Sequence, residues 1–418
     1  MKTHLLFFII SFFLFDINYI FASGNDTTGL IPLTELNTGY YKSFQGGLYP
    51  NGTNVRPATH NEAGKTLSLN LVPLDVNGIP DTLNGKIIML SIGMSNTTQE
   101  FSTFIPIADT MKEKNSKLVI VDGAQGSQTA AIIQDSTATF WKNIEQRLST
   151  ANVSTKQVQT IWLKEADANP KNDFPVHAQT LKNELKKICG ILKSKYPKVK
   201  LCYISSRIYG GYATSTLNPE PMAYESGFAV KWLIEDQING DTALTYSGIN
   251  PKSPWLSWGP YLWADGTNPR NDGLTWVIDD FVTSDRTHPS ASGRLKVANM
   301  LLDFFKSDET TFSWFLKNTK VNVNDNPIQN SLLIFPNPFS TQTEINYSLP
   351  YPDFVKLQIY DIFGNLVSIL QEELMETGNH EFQLSLANAK YWNISSGIYF
   401  LRLETSGNSV TKIISIIK

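Results

Sequence analysis

Apolar and polar positions follow two different rhythms along the chain. From residue 87, short apolar runs are separated by longer stretches with helical spacing. Ile87 to Ile92, Lys117 to Val121, Val158 to Leu163 and Val199 to Ser205 each read as a strand buried on both faces. The stretches around 98–112, 129–149, 177–195, 223–238 and 290–306 read as amphipathic helices. Strands alternating with helices imply a parallel sheet covered on both faces, the α/β class.

Beyond residue 330 the period becomes two. Val355, Leu357 and Ile359 alternate with Lys356, Gln358 and Tyr360, and Phe363-Gly364-Asn365 makes a turn. Tyr399, Leu401 and Leu403 alternate with Phe400, Arg402 and Glu404 before the turn Ser406-Gly407-Asn408. Short alternating strands at regular turn spacing predict a small all-β sandwich over 331–418. An Asn-, Asp- and Val-rich stretch with Pro327 reads as a linker, bounded here at 313–330. Residues 24–86, rich in Gly, Asn and Thr, read as an irregular lead-in that wraps the α/β body, the two together forming a domain over 23–312.

At the start, Lys2 and His4 precede the apolar run Leu5 to Leu14, and Ala22-Ser23 offers a small-residue cleavage point. This pattern reads as a secretory signal peptide over 1–22, too short in its apolar run to span a bilayer. No later stretch is long and apolar enough to cross a membrane, so the expected location is outside the cytoplasm, secreted or at the cell surface. Export permits a disulfide between Cys189 and Cys202; two separately buried thiols are the other option. With 35 basic and 38 acidic residues, the net charge of −3 excludes nucleic-acid binding by phosphate neutralisation. Five histidines and two cysteines without metal-ligand spacing imply no metal, and nothing implies an organic cofactor. Charged residues make up only 17% of the chain, which suits an exported surface rich in Asn, Thr and Ser.

In an open parallel sheet, ligands bind beyond the carboxyl ends of the strands. Gly93-Met94-Ser95 follows the first strand and Asp122-Gly123-Ala124-Gln125-Gly126 the second. Lys164-Glu165-Ala166-Asp167 follows the third and Ser206-Arg207-Ile208-Tyr209 the fourth, with Asp285-Arg286-Thr287-His288-Pro289 ahead of the last helix. A serine hydroxyl needs a base within hydrogen-bond reach, and His288 can serve Ser95 in that way. Asp285, three residues earlier, can orient the imidazole. The amides of Ser95 and Gly126 can point at a developing oxyanion. Singly, Ser95 is a helix N-cap, His288 a loop histidine and Gly126 a turn; their joint order at strand and helix boundaries favours the catalytic reading.

The order Gly-x-Ser, then a post-strand Gly, then Asp-x-x-His-Pro resembles the SGNH (GDSL-like) hydrolase superfamily over residues 85–306. The resemblance implies a three-layer α/β/α fold and hydrolysis of esters, often acetyl esters on carbohydrate. It assigns the nucleophile to Ser95, the pair to Asp285 and His288, and an oxyanion donor to Gly126. Met94 stands where the family usually has Asp. The family's third block carries an Asn, or a Gln in a Trp-x-Gln-Gly-Glu-x-Asp run; Trp162-Leu163-Lys164-Glu165-Ala166-Asp167 is one residue shorter and has no amide. Lys164 is then either an oxyanion donor or the partner of Glu165 or Asp167 in an ion pair.

Candidate substrate contacts are Arg207, Tyr209, Trp258 and Trp263. Arg207 can clamp a substrate carboxylate or join a structural ion pair. The indoles crowd a loop with Trp255, Tyr261 and Trp276 and either pack on sugar rings or pack that loop onto the body.

Ile334-Phe335-Pro336-Asn337-Pro338-Phe339, Leu357-Gln358-Ile359-Tyr360-Asp361-Ile362-Phe363-Gly364 and Ser396-Gly397-Ile398-Tyr399-Phe400-Leu401-Arg402 occur in order in the last domain. They resemble the C-terminal sorting domain of type IX (Por) secretion cargo in Bacteroidetes. That resemblance implies the type IX machinery as a partner through residues 331–418, and passage across the outer membrane. Two functions stay open: an exported SGNH-type esterase acting on an acylated glycan or small ester, and a glycan-binding protein on the same fold with weak or no catalysis.

Overall fold

The computed structural model describes residues 26–317, 332–349, 353–376, 378–387, 394–405 and 409–417. The expected signal peptide, most of the expected linker and the turn at 406–408 lie outside the described residues. Two compact units divide the chain. One comprises residues 26–56, 73–110 and 119–304; the other takes 57–72, 111–118 and the residues from 305 onward.

The α/β unit is built on a five-stranded sheet of β1 (Ile87–Gly93), β2 (Leu118–Asp122), β3 (Val158–Lys164), β4 (Leu201–Ile204) and β5 (Trp255–Trp258). Its order is β2-β1-β3-β4-β5, and the pairings β1–β3, β3–β4 and β4–β5 are parallel. The order reverses direction at β1, which makes the carboxyl ends of β1 and β3 the switch point where such sheets bind ligands. Every residue of β1 and of β3 is buried, as a sheet covered on both faces requires.

The helices are α1 (Ser95–Asp109), α2 (Thr139–Thr150), α3 (Val176–Lys195), α4 (Met222–Ile238) and α5 (Ala291–Ser307). α1 begins at Ser95, three residues before the expected start, because Gly93 and Met94 leave β1 directly into it. The helix expected over 129–149 is interrupted. Ala130–Ile133 forms one turn, and then the Asp135 carboxylate accepts from Thr137 N (2.8 Å) and Oγ1 (2.7 Å), a side-chain turn that competes with helix.

The fifth strand is a correction. The aromatic stretch at Trp255–Trp258 was expected as loop, yet it pairs residue for residue with Leu201–Ile204. The lead-in is pinned to this body by polar contacts. Asp265 accepts from Thr28 N and Oγ1 (both 2.6 Å) and Gly29 N (3.0 Å), and Tyr224 donates to the Ile31 carbonyl. Glu225 joins His177 (2.7 Å), Tyr41 (2.6 Å) and Lys42 (3.0 Å). Cys189 and Cys202 are both buried and unbonded, the second of the two options above.

In the other unit, order reaches into the expected linker. A short helix, Phe312–Phe315, buries Trp314 and Phe315, whose rings lie 5.8 and 5.5 Å from Phe305. The C-terminal strands are β6 (Leu333–Phe335), β7 (Gln342–Leu349), β8 (Asp353–Tyr360), β9 (Leu366–Met375), β10 (Gly378–Ser385), β11 (Gly397–Glu404) and β12 (Ser409–Ile416). They form two antiparallel sheets, β9-β8-β11-β12 and β10-β7-β6. Val355, Leu357, Ile359, Leu401 and Leu403 meet Ile345, Tyr347 and Leu384 in one core, so the period of two points inward as expected. The turn after β8 uses Gly364 at φ +84°, while Asp361 accepts from Phe363 N and Asn365 N (both 2.9 Å).

Candidate active site

Ser95 sits at the first turn of α1, directly beyond the carboxyl end of β1. Gly93 makes the strand-to-helix turn possible: a Cβ there would overlap the Lys164 carbonyl and the Thr97 hydroxyl. That hydroxyl donates to the Lys164 carbonyl (2.7 Å), tying the helix start to the end of β3.

Ser95 Oγ lies 2.7 Å from His288 Nε2, and His288 Nδ1 lies 2.7 Å from Asp285 Oδ2. The other carboxylate oxygen of Asp285 accepts from His288 N (2.9 Å) and Thr287 N (2.8 Å). Burial pushes the Asp285 carboxyl upward, but these amides and the His288 ring outweigh it and hold the group below its usual range. Asp285 is therefore an anion at neutral pH that fixes the ring and its Nδ1–H tautomer. Asn96 donates to the Thr287 carbonyl (3.1 Å), locking the histidine loop onto α1.

Gly126 stands next to Ser95; a Cβ on it would be 3.9 Å from the Ser95 Cβ. Side chains absent from the sequence-based site hold its loop in place. Asp122 accepts from Ser91 Oγ (2.6 Å) and from Thr98 Oγ1. Arg147 donates to the carbonyls of Asp122 (2.9 Å) and Ala124 (2.7 Å), and Gln125 N donates to the Gly93 carbonyl (2.9 Å). Neither the Ser95 nor the Gly126 N–H donates to any described residue.

Lys164 does something else. Its ammonium pairs with both carboxylate oxygens of Glu100 on α1 at 2.5 Å, with both side chains at most 1% exposed. The partner is neither Glu165 nor Asp167, and the amine is occupied rather than free for an oxyanion. Burial, reinforced by Arg207, pushes Lys164 down to about 8 against the pull of Glu100. Glu100, immediately before the apolar Phe101, belongs to no motif in the sequence. Glu165 is buried; burial raises its carboxyl well above the ordinary range, and its Oε1 has no hydrogen-bond partner.

A pocket of about 30 Å³ opens beside Ser95 and His288, with Asp167, Arg207, Asn218 and Thr287 in its wall. Of the four residues suggested as substrate contacts, Arg207 alone lines it. Trp258 and Trp263 are 2% and 0% exposed; their indoles donate to the Leu48 carbonyl and Glu220, both at 2.7 Å. Tyr209, 1% exposed, packs on Tyr212 and Trp263. These three rings pack the interior and present no face to a sugar. For Trp258 the reason is β5, which turns its stretch into core; Trp263 and Tyr209 lie outside that strand and are held by Glu220, Tyr212 and each other. Among the described residues there is no cluster of side chains suited to a metal, and no helix long and apolar enough to cross a membrane.

Residues 333–418 match the family model for a secretion system C-terminal sorting domain. Part of the chain is similar in structure to PorZ, a bacterial surface component of the type IX secretion system of Porphyromonas gingivalis (19% identity, TM-score 0.17), covering 21% of this chain and 12% of PorZ. The chain thus spans a small fraction of that protein's length. The chain is also similar to an acetylxylan esterase from Geobacillus stearothermophilus (13% identity, TM-score 0.31, 55% of this chain and 96% of that one). A carbohydrate acetylesterase from Xanthomonas citri matches 79% of each chain at 10% identity and TM-score 0.29. No curated protein sequence matches the chain.

Proposed function

We propose that the α/β unit is a serine ester hydrolase of the SGNH type that removes acyl groups from carbohydrate. The carrying observation is the continuous chain from Ser95 Oγ through His288 to Asp285, 2.7 Å at each step. In this reading Ser95 Oγ attacks the ester carbonyl while His288 Nε2 takes its proton. The tetrahedral oxyanion is held by the Ser95 and Gly126 amides. His288 gives the proton to the departing alcohol, leaving an acyl-serine. Water then attacks that ester, with His288 as base, and the acid leaves as Ser95 regains its proton.

With Lys164 bound to Glu100, two amides remain where the family has three donors. Loss of one oxyanion donor costs roughly 10²–10³ in rate, so turnover is expected to be slow. That occupied lysine is also what favours the second reading, a glycan-binding protein that has lost catalysis. The sorting domain supports export through a type IX machinery to the cell surface or medium.

The test is hydrolysis of an activated acetate ester by the full chain beside Ser95→Ala. The proposal expects a loss of about 10³-fold or more in the variant. Equal rates would overturn it in favour of binding without catalysis.

A further inference from the structure

The guanidinium of Arg207 is 3% exposed and makes no hydrogen bond with any described residue; its Nε and Nη1 are both buried without a partner. An unpaired buried charge is costly, so its surroundings must supply a counter-charge in at least one state of the molecule. Four acidic side chains lie near enough to feel it: Glu100, Glu165, Glu220 and Asp285. Three are committed elsewhere. Glu100 is bound by Lys164 through both oxygens, and Asp285 by His288 and two amides. Glu220 accepts from Gly210 N (2.8 Å), Tyr224 N (2.9 Å) and Trp263 Nε1 (2.7 Å). The fourth, Glu165, whose carboxyl burial raises well above its ordinary range, accepts from Ala166 N (3.2 Å) and makes no hydrogen bond to Arg207. The chain therefore gives Arg207 charged neighbours but no bonded partner.

Arg207 lines the pocket that holds Ser95 and His288. Asn218 shares that wall, and its Oδ1 is an acceptor without a partner. Ser95, the nucleophile of the esterase reading, lines the same wall as Arg207.

We propose that Arg207 is a specificity residue that binds a carboxylate carried by the substrate close to the scissile ester, and that the substrate is an acylated acidic sugar. A planar carboxylate matches the fork of a guanidinium, and a sugar hydroxyl beside it can donate to Asn218 Oδ1. This rests on the esterase reading for the word substrate, but the anion site stands independently of catalysis.

The experiment uses equilibrium binding to the full chain carrying Ser95→Ala, so that no turnover intrudes. Glucuronate, glucose and succinate are titrated calorimetrically. Glucuronate is expected to bind about tenfold or more tightly than glucose, the gain of one charge-assisted hydrogen-bonded pair. Adding Arg207→Met should bring that preference within about twofold, and Arg207→Lys should retain part of it. If succinate instead exceeds glucuronate, with the same dependence on Arg207, the carboxylate site holds and the charge belongs to the acyl side. Equal binding of glucuronate and glucose, or a preference that survives Arg207→Met, overturns the proposal. Arg207→Met removes a buried unpaired charge for an apolar chain of similar length, so folding is expected, and a thermal melt of each variant checks it. If Ser95→Ala proves no slower than the parent protein, the esterase reading fails while these binding outcomes keep their meaning.

Discussion

Glu100→Gln isolates the one place where the site departs most from an SGNH oxyanion hole. The substitution keeps the shape of the side chain and leaves Lys164 buried, 1% exposed, without its anion. Removing one partner of a buried pair costs about 3–5 kcal/mol. The protonation equilibrium sets a ceiling. Lys164 escapes by releasing its proton, and from a folded value of about 8 that costs about 1.4 kcal/mol at pH 7. A lysine whose folded pKa is depressed opposes folding, fully so below the folded value, and the penalty fades as pH rises to the unfolded one. In the parent protein that window runs from about 8 to 10.5. Without Glu100 the main upward pull is gone, so the variant's window opens lower. Its deficit is therefore largest below the variant's own lowered value, declines through pH 7 and closes by about pH 9, where Lys164 is neutral in both proteins and Glu100 in the parent has lost its cation. Urea unfolding followed by indole fluorescence measures this in the right unit, because seven of the nine tryptophans lie in the α/β unit. A deficit that does not shrink as pH rises from about 6 to about 9 would refute the account of a buried, charged pair.

Asp285→Asn should lower ester hydrolysis on the order of 10³–10⁴-fold with little change in fold, since the ring loses its orienting anion; activity within tenfold of the parent would count against the triad. Gly93→Ala should destabilise the α/β unit by more than about 2 kcal/mol, as the new methyl overlaps backbone at the β1–β3 junction, and a melting temperature within a degree of the parent would contradict this. Glu220, raised by burial to about 7, binds more protons folded than unfolded between 4.5 and 7, so its contribution to stability declines across that range as pH rises. Glu220→Gln should flatten that decline, and an unchanged slope would argue against a buried acid. A chain lacking residues 331–418 should accumulate in the periplasm of a type IX-competent host; undiminished release would remove the sorting role.

Much of the site was legible because its chemistry is local. Asp285, Thr287 and His288 lie within four positions, so one loop sets the carboxylate against the ring and its own amides. Ser95 needed only the strand before it and the helix after it. The fold class followed from two hydrophobic periods, because burial on both faces and burial on one face leave different spacings along a chain. The C-terminal strands kept their register for the same reason.

What the sequence could not decide were pairings between residues far apart in number. Lys164 offered Glu165 and Asp167 as neighbours, but a strand directs its end across the sheet, and the helix after β1 brings Glu100 there from sixty-four positions away. Trp255 and Trp258 looked available for sugar until backbone pairing with β4 made them interior, and Trp263 until its indole met Glu220. Arg207 carried two readings in the sequence. Only the packed structure, which binds three of the nearby carboxylates to other donors, leaves its guanidinium without a bonded partner beside the pocket. Composition and periodicity determine which residues are buried; the crossing of elements decides which buried charges meet.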